Sequence, residues 1–186
     1  MKKIALITIG LVVENGRDPS ETMNASLALT ELNAKISFFS LSKNFSIENH
    51  HSLSIEDLNP DDFDAIVMTG GTASLDGLSN TNEKLEEIIL KFHQQSKPIG
   101  VISIASLVVA QILKKIKPLI TLGETSKHIA NLAKMNIEHE MCPSNDYITD
   151  RHCKLISTPA SMNESATPLS IYTGIYLMIK ELVEMA

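Results

Sequence analysis

The sequence predicts an α/β fold in which a parallel β-sheet is covered on both faces by helices, a three-layer sandwich. Three observations lead there. Short apolar runs with almost no charge, Lys3 to Ile9 and Asp64 to Thr69 among them, have the composition of central parallel strands. Segments with apolar residues three and four apart alternate with these runs, and alternation of strands and helices calls for a parallel sheet covered on both sides. Finally, Lys97-Pro98-Ile99-Gly100-Val101-Ile102-Ser103-Ile104-Ala105 turns a buried run directly into a helical one.

The elements follow in order. Lys3 to Ile9 is the first strand, and Gly10 to Arg17 is a loop. Asp18-Pro19-Ser20-Glu21 opens a helix, with Asp18 as N-cap, Pro19 at the first position and Glu21 three residues after the cap. Met23, Leu27 and Leu32 continue that helix to Asn33. Lys35 to Leu41 is the second strand. Residues 42 to 62 are polar and carry no clear period, and Asp57 to Asp62 is a turn cluster. Asp64 to Thr69 ends in Gly70-Gly71, and Thr72 to Ser79 is a loop. Asn80-Thr81-Asn82-Glu83 caps a helix to Gln95 with Leu85, Ile88, Ile89 and Phe92 inward.

Pro98 to Ile102 is too short for a helix and reads as a buried strand. Leu107, Val108 and Ile112 recur at helical spacing after it. Leu119 to Leu122 is a short strand and Ser126 to Met135 a helix. Ile137 to Met141, Tyr147 to Thr149 and Lys154 to Thr158 are short strands, with Asp150-Arg151 as a turn and a hairpin added to the core. The last helix runs from about Glu164 to Val183, with Pro168 near its start.

Composition narrows the function. The 186 residues suit one domain, 1–186, and 44% hydrophobic with 20% charged residues is a globular balance. A net charge of −6 argues against nucleic acid as a partner. No apolar run reaches a membrane span, and the first residues read as a strand and not as a signal peptide. Two cysteines, Cys142 and Cys153, make no disulfide framework, so a reducing cytoplasm is expected. His139, Cys142, His152 and Cys153 match no zinc spacing, and neither a metal nor another cofactor is expected.

Ser103 sits where strand becomes helix, so it projects from the carboxyl end of the sheet towards the N–H groups of the new helix. Two readings stay open: serine is a good N-cap, and enzymes of several classes place a nucleophile at such a turn. Glu21, three residues after Asp18, fits a capping box.

Ile66-Val67-Met68-Thr69-Gly70-Gly71, Leu78-Ser79-Asn80, Lys97-Pro98-Ile99-Gly100, Thr121-Leu122-Gly123, Cys142-Pro143, Asp146-Tyr147-Ile148 and Ile156 to Ala160 resemble the ThiJ/PfpI superfamily. That superfamily has the class I glutamine-amidotransferase-like fold, and the ElbB-like, glyoxalase-type group is the nearest in pattern. The resemblance implies a cysteine nucleophile where this chain has Ser103, and a contacting glutamate at Glu21. It also implies an oxyanion site from the N–H groups of Gly71 and Ile104. Ser106 replaces a proline of the family, and the segment after Leu41 is shorter here.

A cysteine at the elbow works because the helix terminus and N–H groups favour its thiolate. Serine lacks that acidity and needs a base, usually an oriented histidine. Of six histidines none directly follows Ser103; His128 is the nearest downstream. A glutamate partly buried at the elbow would have a raised pKa and could donate a hydrogen bond to the nucleophile. Three functions compete: a divergent member without cysteine catalysis that keeps a small-molecule pocket, a weak glyoxalase-type lyase, and a serine hydrolase using Ser103. Ser103 is expected at a strained turn. A homodimer is implied by the resemblance, with weak support from the apolar content and eight methionines.

Overall fold

The structure, a computed structural model, describes residues 1–8, 20–41, 46–47, 50–70, 82–126 and 128–186. Its strands are β1 (Lys3–Thr8), β2 (Lys35–Ser40), β3 (Ser46–Ile47), β4 (His50–His51), β5 (Leu53–Ser54), β6 (Ala65–Thr69), β7 (Ile99–Ile102), β8 (Leu119–Ile120), β9 (Glu138–His139), β10 (Ile148–Asp150) and β11 (Leu155–Thr158). Its helices are α1 (Ser20–Glu31), α2 (Glu83–Gln94), α3 (Ala105–Ile112), α4 (Ile129–Leu132) and α5 (Pro168–Met185).

Seven strands form the main sheet in the order β10-β11-β7-β6-β1-β2-β5. All its pairings are parallel except β10 with β11. The expected mostly parallel α/β sandwich is therefore the fold. Side chains alternate between two cores, as the period of a strand requires. Ile4, Leu6, Ala65, Val67, Ile102 and Ile156 face one core, shared with α1 and α5. Ala5, Ile7, Ile66, Met68, Val101 and Leu155 face the other, shared with α2 and α3. Leu85, Ile88, Ile89 and Phe92 are buried on α2, as their spacing predicted, and Asn82 caps it by accepting from Leu85 N–H at 3.0 Å.

Several sequence expectations need correction. On α1, Met23 and Leu27 are 41% and 56% exposed, while Thr22, Ala25, Ala28 and Leu29 are buried. The inward face joins the small residues Thr22, Ala25 and Ala28 to Leu29, between the sheet and α5, whereas the side chains at 23 and 27 are exposed. The helix stops at Glu31, where Asn33 takes a left-handed φ of 56° and Ala34 N–H closes on Leu29 C=O. The last helix begins at Pro168, later than expected. Thr167 is its extended N-cap, locked with Ser170 in a capping box, and proline suits the first helical position.

The strand expected over Leu119 to Leu122 ends at Ile120. Thr121 N–H leaves the ladder and donates to Ser157 Oγ at 2.9 Å. Only Glu138–His139 of the run to Met141 is a strand, pairing parallel with β8. The helix expected over Ser126 to Met135 is one α-turn, Ile129–Leu132, followed by a 3-10 turn. The expected hairpin is β10–β11. Its turn is organised by Asp150, whose Oδ1 accepts from His152 and Cys153 N–H at 3.0 Å each. Within the unassigned stretch, β5 extends the sheet as an edge strand beside β2. Ile9, the 10–17 loop, the Asp18-Pro19 cap, Gly71 and the 72–79 loop lie outside the described residues.

Candidate functional site

The chain leaves β1 through α1 to reach β2 on one side, and leaves β6 through α2 to reach β7 on the other. The order reverses between β1 and β6, and ligands of such sheets bind in the crevice outside the carboxyl ends at that point. Thr8 and Thr69, in register, are the terminal residues of the two strands. Thr22 of α1 lies beside them: its Oγ1 is 2.8 Å from Thr69 Oγ1 and 3.5 Å from Thr8 Oγ1. All three threonines are at most 5% exposed. The shorter contact is a buried hydroxyl hydrogen bond that ties the first turn of α1 to the end of β6.

Ser103 stands on the neighbouring strand end. Its φ is 58°, its exposure 7%, and its N–H donates to Thr158 C=O of β11 at 2.9 Å. Most other non-glycine residues with positive φ have ordinary reasons. Asn33, Ser96, Lys117 and Asn136 follow helical turns, and Lys154 lies in the β10–β11 turn. Ser103 and Ala160 do not: each follows the end of a neighbouring parallel strand, and Ala160 has φ 50° with no exposed surface. A left-handed residue with a Cβ costs about 1–2 kcal/mol, and such strain gathers at functional positions. The helix after the elbow has Ile104 as its N-terminal boundary residue, with φ −65° and no side-chain hydrogen bond capping it. The N-terminal boundary of α3 thus falls one residue after Ser103.

Gly71 lies outside the described residues, but Gly70 shows how the end of β6 meets the elbow. A Cβ at Gly70 would lie 2.7 Å from Ile104 Cγ2, 3.1 Å from Ile104 N and 3.2 Å from Ala105 N. Only a residue without a side chain lets the backbone approach the start of α3 so closely. Ile104 itself is 7% exposed. Ser106, two residues further, is fully buried, and its hydroxyl has no hydrogen-bond partner among the described residues.

Glu21 is half-buried in the first turn of α1, and its Oε1 accepts a hydrogen bond from Ser161 Oγ at 3.1 Å. Ser161 belongs to the 3-10 turn Ala160–Met162 that follows β11. Glu21 and the elbow therefore share one neighbour, the segment from Thr158 to Ser161, which bonds Ser103 through its backbone and Glu21 through a side chain. Sequence reasoning missed Thr22, Thr69 and Ser161. Thr22 had a signal, being adjacent to Glu21 on a helix start. Ser161 had none, because it is 140 residues from its partner.

The other polar candidates stand apart. Cys142 is buried, and burial, then the charges of Asp146, Glu124 and Glu140, push its thiol up to about 12. Cys153 is buried too and pushed to about 12 by burial, then by the hydrogen bond and charge of Asp150. Burial holds the His139 imidazole below its usual value against a hydrogen bond to the Gly123 backbone, and its Nε2 is buried without a partner among the described residues. His152 is exposed in the β10–β11 turn. Among the described residues, no group of three or more His, Cys, Asp and Glu side chains is placed to hold a metal. No described helix is long and apolar enough to cross a membrane.

Comparison with known proteins bears on the family and the fold. A model of the DJ-1/PfpI family matches residues 8–153. The human glutamine amidotransferase-like class 1 domain-containing protein 3, mitochondrial, is 26% identical over 70% of this chain and 54% of its own length. The ES1 protein, mitochondrial, of Danio rerio is 28% identical over 69% and 55%. The chain thus spans about half the length of the curated relatives it matches. Among solved structures, an isoprenoid biosynthesis protein with an amidotransferase-like domain from Ehrlichia chaffeensis has a TM-score of 0.84 at 23% identity. That match covers 100% of this chain and 99% of the other. Drosophila melanogaster DJ-1beta has a TM-score of 0.70 at 18% identity, covering 100% and 96%.

Proposed function

This chain belongs to the DJ-1/PfpI family, and we propose that within it the protein is a divergent, ElbB-like member that lacks cysteine catalysis and uses the elbow to bind a small molecule. The observation that carries this is Ser103: it has the backbone strain of a nucleophile position, φ 58° at a strand end, but bears a hydroxyl. A serine hydroxyl there has no acidity of its own to exploit. The binding surface consists of Ser103, Glu21 and the start of α3 at Ile104, with Gly71 as the position the family pattern supplies. The likeness to the Ehrlichia chaffeensis isoprenoid biosynthesis protein supports the ElbB-like assignment.

The proposed protein acts as a homodimer. Met23 and Leu27, one turn apart and exposed on α1, support a subunit contact, and sedimentation as a monomer at micromolar concentration would remove it. The two buried free cysteines favour a reducing compartment, the cytoplasm in this reading. The mitochondrial names belong to the relatives. The functional test is turnover of methylglyoxal by the parent and by Ser103→Ala, beside labelling with a serine-directed fluorophosphonate. The proposal expects weak or no turnover, unchanged in the variant, and no label on Ser103. Turnover that Ser103→Ala abolishes, or a labelled Ser103, would require a serine mechanism instead.

A further inference from the structure

We propose that Ser161 is a positioning residue that holds the Glu21 carboxylate at the elbow, an inference that rests on the reading of the elbow as the functional site. The contact joins two elements distant in the chain. Glu21 is on the first turn of α1, and Ser161 is on the turn after β11, with 3.1 Å between Oγ and Oε1. The backbone of each partner is fixed independently. On one side, Thr22 is anchored by its hydroxyl to Thr69 at 2.8 Å, which sets the depth of the helix start. On the other, Ala160, next to Ser161 and just beyond the carboxyl end of β11, is fully buried in a left-handed conformation.

Between those anchors a glutamate still has three rotatable bonds, and the Ser161 hydroxyl restricts its tip. The same segment also accepts the Ser103 N–H at Thr158 C=O, so the elbow and the carboxylate are registered against one another through it. Ser161 is exposed, so its hydroxyl contributes little to core packing. As a donor it matches an ionised carboxylate, which can only accept. Held in place, a carboxylate in its ionised form opposes the development of negative charge on whatever atom occupies the elbow, whereas the protonated acid does not.

The experiment uses the full chain with Ser103→Cys, so that an introduced thiol reports on the local field through its rate of alkylation by iodoacetamide at neutral pH. Ser161→Ala, Ser161→Thr, Glu21→Gln and the Ser161→Ala/Glu21→Gln pair are added to it. Thermal melts, followed by circular dichroism, confirm that each variant is folded. Ser161→Ala should speed alkylation by about threefold, the size of effect one ordinary hydrogen bond supplies. Glu21→Gln should speed it at least as much, Ser161→Ala should then add nothing, and Ser161→Thr should retain the slow rate. If Glu21→Gln changes the rate but Ser161→Ala does not, or if Ser161→Ala acts equally in both backgrounds, the positioning role is wrong and the site reading stands. If Glu21→Gln leaves the rate unchanged, Glu21 does not act on the elbow, and both fall together.

Discussion

Ser103 is the residue on which two requirements meet. The strand before it must end, and the helix after it must start without a linker, so one residue takes a left-handed backbone and the chain turns within it. Gly70 makes the turn possible from the other side, since any side chain there would press on the backbone nitrogens of Ile104 and Ala105. Gly70→Ala should therefore destabilise the protein by about 1–3 kcal/mol, the usual range for overpacking a tight site. A urea titration checks this, and an unchanged midpoint would mean the elbow has room to give. The strain at Ser103 was legible in outline, because a buried strand followed at once by helical spacing leaves no residues for an ordinary loop. The strain at Ala160 was not legible, because nothing local distinguishes Pro159-Ala160-Ser161 from a common turn.

At the scale of elements, α5 shows how packing overrides propensity. Gly174 lies mid-helix, where alanine is intrinsically better by about 1 kcal/mol. Yet a Cβ at Gly174 would lie 2.3 Å from the backbone oxygen of Ser144 and 2.9 Å from Thr158 Oγ1. The backbone of the 144 loop cannot swing away as a side-chain tip could, so the clash outweighs the gain. Gly174→Ala should lower stability by a net ~1 kcal/mol or more, read as a lower melting temperature; a higher one would show that propensity rules there.

The same competition explains which elements could be read in the sequence. The buried strands β1, β6 and β7 show as unbroken apolar runs, and α2 shows as an amphipathic period. On α1 the apolar residues Met23 and Leu27 do not mark the packing face, which Thr22, Ala25, Ala28 and Leu29 form. The segment from Leu119 to Met141 is less regular than its apolar pattern predicts. There a hydrogen bond from Thr121 to Ser157 and the buried side chain of Asn163 replace ladder pairing. Asn163 accepts from Glu124 N–H and donates to Cys142 C=O, contacts across a sequence distance no local pattern encodes.

For the whole molecule, the buried titratable groups define a pH window. His139 is held below 6.5 mainly by burial. Burial alone would raise Asp150, but the N–H groups of Leu119, Cys153 and His152, with the Cys153 side chain, bring it below 3.8. Both groups bind fewer protons folded than unfolded, so their contribution is full above the unfolded values and is lost as pH falls through the folded ones. Cys142 and Cys153 run the other way: raised from 9.0 to about 12, they bind more protons folded, and their contribution fades as pH rises across that interval. Stability should be flat between about pH 6.5 and 9 and fall on both sides. Urea midpoints measured across pH check this, and His139→Gln should remove the first step of the acid limb. A midpoint that rises on acidification below 6.5 would contradict the burial of His139.

Those two cysteines also frame the most direct test of the central claim, that the elbow is a family nucleophile position whose thiol is absent. In Ser103→Cys the replacement is nearly isosteric, and the new sulfur sits at the start of α3 beside N–H groups that favour a thiolate. Cys142 and Cys153, buried with thiols near 12, are almost wholly protonated at neutral pH. The measurement is site-resolved mass spectrometry of Ser103→Cys during limited iodoacetamide treatment at neutral pH. The account predicts that the introduced thiol is alkylated first, while Cys142 and Cys153 are untouched in the folded protein. An introduced thiol that is inert, or slower than either native cysteine, would contradict it and leave the resemblance as one of fold alone.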